Sequence, residues 1–275
     1  MGYKIVAKEQ WSEKVFMMNV LAPDIAKNRK AGNFIIFRLD EKGERIPLTI
    51  ADANLEEGTI MIVTQNIGYS THRLMELNVG DEIMDVIGPL GQPTHIEKHD
   101  GIVLCVGGGV GIAPLHPIAE AHHLKGNDVI SILGARDKSL IIMEDMMKKI
   151  SKEMIICTDN GSYGEKGLVT DMINRVYDRG EKISEVIAIG PAIMMKFVSL
   201  LTKKYNIPTV VSLNPIMIDG TGMCGCCRVK VGNETKFACV EGPEFDGHLI
   251  DFDILMKRQA MYKKEEHECN LKLAN

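Results

Sequence analysis

The chain has 275 residues, 45% hydrophobic and 25% charged, the make-up of a globular protein with room for two ordinary domains and a small appendage. A formal net charge of −5 and a pI near 5.9 argue against nucleic acid as a partner, and no run of about eighteen apolar residues is present to span a membrane. The first residues enter strand-like alternation without the apolar core of a signal peptide, and Val6, standing where Ser or Thr is needed, leaves Gly2 outside a myristoylation signal.

In chain order, residues 3–11, 15–21, 33–39, 46–51, 59–65 and 81–87 read as strands. They are rich in β-branched and aromatic residues and are separated by Gly- and Asn-rich breaks. A short helix over 71–77 interrupts them. Six strands at this spacing predict an antiparallel β-barrel over 1–98. After the polar patch 97–101 the rhythm changes. Apolar strands at 102–106, 129–133, 154–158, 186–189 and 209–213 alternate with helical stretches at 112–125, 140–150, 168–179 and 192–204. That alternation predicts a doubly wound parallel sheet over 99–214, so the fold class is a β-barrel plus α/β. Residues 215–250 are glycine-rich and short of helical periodicity, and read as a compact loop module around a metal. Residues 251–275 read as a helix and a charged tail.

Seven cysteines are present: Cys105, Cys157, Cys224, Cys226, Cys227, Cys239 and Cys269. An odd count with four of them close together points to metal binding in a reducing cytoplasm rather than to a secreted disulfide framework. Asp219-Gly-Thr-Gly-Met-Cys224-Gly-Cys-Cys227, followed by Cys239, has the Cys-x4-Cys-x2-Cys…Cys spacing of a plant-type 2Fe-2S cluster with aspartate in the first position. Asp219 is also the kind of residue that opens an Asp-Gly turn. Cys226 is the rival fourth ligand, and zinc on Cys224, Cys227 and Cys239 is the rival metal. Cys105 and Cys157 fall in buried strands and read as small hydrophobes. Most of the seventeen methionines read as core fillers. His122 and His123 end a helix without partners at ligand spacing, so they read as surface or helix-end residues.

Gly107-Gly108-Gly109-Val110-Gly111-Ile-Ala-Pro114 lies between a strand and a helix, where glycines let the backbone approach a pyrophosphate. It is not the usual dinucleotide fingerprint, because the third glycine of that pattern would fall on Ile112. Arg45-Ile-Pro47-Leu48-Thr49 starts a barrel strand, with an arginine suited to phosphate and a threonine hydroxyl suited to a ring nitrogen. Gly68-Tyr-Ser70-Thr71 opens a helix, where Ser70 or Thr71 is otherwise a simple N-cap.

Taken together, these three segments resemble the ferredoxin–NADP reductase superfamily, and the C-terminal cysteine motif narrows the resemblance to one branch. That branch contains the electron-transfer subunits of dihydroorotate dehydrogenase and the small subunits of NADH-dependent reduced ferredoxin:NADP oxidoreductase. The resemblance covers roughly residues 3–250. It implies that Arg45 meets an FAD phosphate, that Pro47, Leu48 and Thr49 line the flavin ring, and that Gly68, Ser70 and Thr71 hold the pyrophosphate. It places NAD(H) against Gly107, Gly108, Gly109, Gly111, Gly134, Arg136, Asp159, Gly190 and Pro191, all beyond predicted strand ends. It implies a 2Fe-2S cluster on Asp219, Cys224, Cys227 and Cys239. It further implies a cytoplasmic oxidoreductase subunit in which FAD performs the chemistry. The expected partner is a larger NADP(H)-binding subunit with its own FAD and 4Fe-4S clusters, reached by ferredoxin through the complex, with electron bifurcation as the activity. Dihydroorotate dehydrogenase subunits normally carry four cysteines in the motif, so Asp219 points to the other family. A redox-sensing or zinc-stabilised module without turnover is the reading from another class.

Overall fold

The computed structural model describes residues 2–273. The N-terminal part runs β1 (Tyr3–Gln10), β2 (Val15–Leu21), α1 (Pro23–Asn28), β3 (Phe34–Arg38), β4 (Ile46–Thr49), β5 (Asp52–Asn54), β6 (Thr59–Gln65), α2 (Tyr69–Glu76), β7 (Glu82–Ile83) and β8 (Asp85–Leu90). Two antiparallel sheets, ordered β5-β6-β2-β1-β7 and β4-β3-β8, wrap one core. Alternation supplies that core: Phe16, Met18 and Val20 point inward from β2, Ile60 and Ile62 from β6, and Leu74 of α2 joins them from outside the sheets.

The stretch read as one strand over 81–87 is two strands. Its first part pairs with β1 and its second with β3, so the chain changes sheets at Met84 and makes a corner of the barrel. Helix α1 was not foreseen either; Pro23 in its first turn and Asp24 beside it were the available signal.

The second part continues with β9 (Ile102–Gly108), α3 (Ile112–Leu124), β10 (Asp128–Ala135), α4 (Glu144–Ile150), β11 (Glu153–Thr158), β12 (Glu165–Lys166), α5 (Val169–Asp178), β13 (Ile183–Ile189), α6 (Ala192–Lys204) and β14 (Thr209–Ser212). The sheet order is β12-β11-β10-β9-β13-β14 and then β17 (Glu244–Asp246), parallel except for that last strand. Every residue of β9 is buried, as expected of a central strand covered on both faces. One face packs on α3 and α4 through Ile112, Leu115, Ile118, Met147 and Ile150. The other packs on α5 and α6 through Met172, Ile173, Val176, Met195 and Val198.

The cysteine-rich segment is more ordered than a loop module. It forms a hairpin of β15 (Arg228–Val231) and β16 (Glu234–Phe237), turned at Gly232-Asn233 with φ 55° at the glycine, then α7 (Ala238–Glu241) and β17 (Glu244–Asp246). Strand β17 adds antiparallel to β14, and Cys227, Val229, Ala238 and Cys239 belong to the same hydrophobic core as the parallel sheet. Strands of three or four residues are too short to show a period, which is why the sequence hid them. Helix α8 (Phe252–Gln259) buries Phe252 and Leu255 on that core. Helix α9 (Lys263–Leu273) follows, and Asn270 approaches the carbonyl of Ile67 at 3.4 Å. No helix among the described residues is long and apolar enough to cross a membrane.

His123 is exposed as expected, but the reading of His122 as a surface residue is corrected: it is fully buried. Its ring packs against Asn127, and Glu185 of β13 and His99 of the linker lie close by. Burial first, and the nearby His99 second, push its pKa down to about 4. These neighbours come from residues far away in sequence, so spacing along α3 could not show them.

Candidate cofactor cleft and metal centre

A cleft of about 1350 Å³ opens between the barrel and the C-terminal edge of the parallel sheet. Pro47, Leu48 and Thr49 of β4 form one wall, with Thr71 of α2 beside them. Gly108, Gly109 and Gly111 after β9, Gly134 and Arg136 at the end of β10, Asp159 after β11, and Gly190 and Pro191 after β13 form the other. Strands β9 and β13 are neighbours, yet the helices that follow them, α3 and α6, cover opposite faces of the sheet. This is the topological switch point, where an open α/β sheet leaves a crevice for a ligand.

The glycines there have separate physical causes. A Cβ on Gly111 would lie 2.5 Å from the carbonyl oxygen of Ile189, and one on Gly190 would lie 3.1 Å from Gly108 Cα. Gly109 has φ 55° and open space where a side chain would stand, so the backbone is bare toward the cleft. Gly107 is set apart: it packs against Ile112 and Leu115 beneath α3 and does not line the cleft.

Three barrel residues also lie off the main cleft. The half-buried Arg45 has no carboxylate partner for its guanidinium among the described residues. Ser70 is buried, and its hydroxyl donates to the Glu44 carboxylate. Gly68 borders a separate depression of about 570 Å³ with Lys14, His72 and Asn270. Thr71 caps its own helix: its Oγ1 accepts the N–H groups of Ile67 and Gly68, each at 3.1 Å. A Cβ on Gly68 would meet nothing within 4 Å, so open space faces the start of α2. An unpaired guanidinium, a bare helix start and an apolar strand wall are groups that suit a dinucleotide's phosphates and ring. Ser212, the last residue of β14, and Asn214, two residues beyond it, also line the cleft and were not singled out from sequence. Their position at a strand end was the signal to use.

The metal loop arranges its donors in two pairs. Cys227 Sγ and Cys239 Sγ are 3.1 Å apart and buried. Asp219 accepts the Thr221 N–H at 2.9 Å and the Cys224 N–H at 2.7 Å, which brings its carboxylate to the exposed Cys224. The backbone N–H of Thr221 is the main cause holding the Asp219 carboxyl below its usual range. Burial, then the Cys227 thiol, pushes Cys239 up to about 12. Cys226 is half-buried beside Cys224, and its carbonyl accepts from Arg258 Nη2 at 3.0 Å. Two pairs of donors fit a centre of two irons with two protein ligands each. Met223, 89% exposed, puts the tip of this loop at the surface.

Residues 214–251 match the family described as the iron–sulfur cluster binding domain of dihydroorotate dehydrogenase B. A Thermotoga maritima homologue of the dihydroorotate dehydrogenase B (NAD(+)) electron transfer subunit is 49% identical over 263 residues, covering 96% of this chain and 92% of its own. The chain belongs to this electron-transfer subunit family. A subunit chain solved in work on flavin-based electron bifurcation by the NADH-dependent reduced ferredoxin-NADP oxidoreductase is 47% identical, with TM-score 0.94, covering 100% of this electron-transfer subunit and 99% of that chain. A ferredoxin NADP+ reductase from Neisseria gonorrhoeae, solved with FAD and NADP bound, is 15% identical, with TM-score 0.58, and covers 74% of this chain and 90% of its own. It shares the fold. The electron-transfer subunit is thus an oxidoreductase subunit on the ferredoxin–NADP reductase fold with a C-terminal iron–sulfur domain.

Proposed function

We propose that this chain is the NAD(H)-linked flavin and iron–sulfur subunit of an electron-bifurcating NADH-dependent ferredoxin:NADP+ oxidoreductase. The supporting observation is that the cleft and the paired donor loop share one body whose nearly full-length counterpart at TM-score 0.94 belongs to that enzyme. Bound FAD would supply the chemistry, hydride exchange with NAD(H) and single-electron exchange with a 2Fe-2S cluster.

The residues of the chain bind and orient. Pro47, Leu48 and Thr49 make the flavin wall, and Arg45 neutralises phosphate charge. Gly68, Ser70 and Thr71 shape the start of α2 for the pyrophosphate, with Ser70 acting through Glu44 rather than by direct contact. Gly107 lets α3 pack close, and Gly108, Gly109, Gly111, Gly190 and Pro191 keep the crevice open for the nicotinamide. Gly134, Arg136 and Asp159 receive the far end of NAD(H). Asp219, Cys224, Cys227 and Cys239 would hold the cluster. No side chain acts as an obligate acid or base.

The partner is a larger NADP(H)-binding subunit with FAD and 4Fe-4S clusters, through which ferredoxin exchanges electrons, in the cytoplasm. The second reading, an electron-transfer subunit of NAD-dependent dihydroorotate dehydrogenase, is favoured by the family matched over 214–251 and disfavoured by Asp219 in the first ligand position. Identification of the copurifying subunit decides between them: one that binds NADP(H) supports the first, and a dihydroorotate-oxidising one overturns it. Failure of the purified chain to reduce an artificial acceptor with NADH would overturn both.

A further inference from the structure

The linker between barrel and sheet docks at the N-terminal ends of β9 and β13, away from the cofactor cleft. Asn127 Oδ1 accepts the N–H of His99 at 2.8 Å, and Asn127 Nδ2 donates to the carbonyl of Glu97 at 2.8 Å. Beneath this joint lie His99 of the linker, His122 of α3 and Glu185 of β13. Among the described residues they form the one group of three His, Cys, Asp or Glu side chains whose donor atoms all lie within 4.8 Å of one another. Glu185 Oε2 is 3.4 Å from His99 Nε2 and 4.0 Å from His122 Nε2. Both Nε2 atoms are buried without a well-formed hydrogen bond, and His122 as a residue is 0% exposed. Such an orphaned polar atom costs about 1–3 kcal/mol and calls for a water or an ion.

We propose that His99, His122 and Glu185 bind a divalent cation of the zinc class. Two imidazoles and a carboxylate are a donor set for zinc, and tetrahedral bonds of about 2.0–2.1 Å place donors about 3.4 Å apart. The His99–Glu185 distance already has that value, and His122 has to close by about 0.6 Å. His99 and Glu185 keep 13% and 18% of their side chains exposed, so the group lies close to the surface. The ion ties the linker, α3 and β13 together.

One local bond opposes it. With the Asn127 amide oriented by His99 and Glu97, its Nδ2 donates to His122 Nδ1 at 3.1 Å, so the neutral ring carries its proton on Nε2. The cation takes the Nε2 position and the proton moves to Nδ1 by exchange with water. That breaks the Asn127–His122 bond, worth about 1 kcal/mol. An acceptor at residue 127 removes this opposition, because a ligating imidazole is normally steadied by a carboxylate or carbonyl on its other N–H.

The test uses the flavin- and cluster-loaded chain, freed of loosely bound metal by gel filtration and dialysed against zinc. Zinc, iron and flavin are counted, and the zinc environment is read by X-ray absorption. One zinc per chain is expected, in a nitrogen and oxygen shell near 2.0 Å. Binding should weaken at least tenfold in His99→Gln and in Glu185→Gln and tighten about tenfold in Asn127→Asp, with iron and flavin unchanged. His99→Gln sits on the half-buried linker, so it tests the site without emptying the core at His122. A sulfur shell near 2.3 Å, which would place zinc on the cysteine loop, overturns the proposal. So does an absence of retained zinc, or wild-type affinity in both glutamine variants.

Discussion

Gly108 and Gly190 face each other across the switch point, and a Cβ on Gly190 would lie 3.1 Å from the Cα of Gly108 and 2.8 Å from Met194 Cε. The crevice at this point is therefore only as wide as two bare backbones allow. Gly190→Val is expected to raise KM for NADH by about tenfold to a hundredfold, the cost of about 1.4–2.8 kcal/mol of lost binding, while flavin and iron content stay at wild-type levels. Steady-state kinetics beside cofactor counts check this. An unchanged KM would place the nicotinamide elsewhere.

Arg45 has no carboxylate partner among the described residues. Arg45→Gln is expected to weaken FAD binding by about tenfold to a hundredfold, since hydrogen bonds to charged groups contribute roughly 1.5–3 kcal/mol. Reconstitution of the flavin-free chain followed by fluorescence gives the dissociation constant. Equal affinity in the variant removes Arg45 from the phosphate site.

Asp219 is paired with Cys224, and Cys227 with Cys239, and the proposed ligand set is these four. A carboxylate oxygen is a harder donor than thiolate and favours ferric iron, so Asp219→Cys is expected to assemble a cluster of higher potential. Potentiometry followed by electron paramagnetic resonance reads the shift. The same potential and spectrum in the variant would exclude Asp219 as a ligand.

Cys226 sits beside Cys224 but outside both pairs. Cys226→Ser should retain full iron content, whereas Cys227→Ser should lose most of it. Iron and sulfide analysis of the two purified variants distinguishes them; iron loss in Cys226→Ser would make Cys226 the fourth ligand.

Glu244 joins the cluster segment to the linker by accepting the Thr94 hydroxyl at 2.6 Å, and burial raises its pKa to about 7. A carboxyl whose folded pKa exceeds its unfolded value contributes stability that is complete below about pH 4.5 and is lost as pH rises through about 7. Glu244→Gln keeps an acceptor for Thr94 and cannot ionise. It is expected to exceed wild type by roughly 3 kcal/mol at pH 8 and to lose that advantage at pH 4.5. Denaturant titrations at the two pH values measure this, and an equal offset at both would show that Glu244 does not titrate in this range.

Much of the frame was legible from residue order. Val15–Leu21, Thr59–Gln65 and Ala192–Lys204 have the bounds that periodicity assigns them, because each carries several repeats of its own pattern. The corner at Met84 was not legible: neighbouring residues of one strand-like stretch pair with different sheets, and pairing is a property of the partners. Strand β17 escaped for a similar reason, since three residues become a strand only where β14 offers an edge. The resemblance sets Ser70 against a pyrophosphate; that its hydroxyl donates to Glu44, 26 residues earlier in the chain, is a contact no local pattern shows.

By itself the sequence determined the order of elements, the glycines that bare the backbone after strand ends, and the spacing that puts an aspartate in the first position of the cysteine motif. These are local properties, set by side-chain period, by the missing Cβ of glycine and by chain length between neighbours. Tertiary structure alone decided that Cys227 meets Cys239, that Gly190 meets Gly108, and that His122 lies buried against Asn127 with Glu185 close by. Each of those contacts joins separate elements, and no repeat along one strand or helix encodes the distance to another.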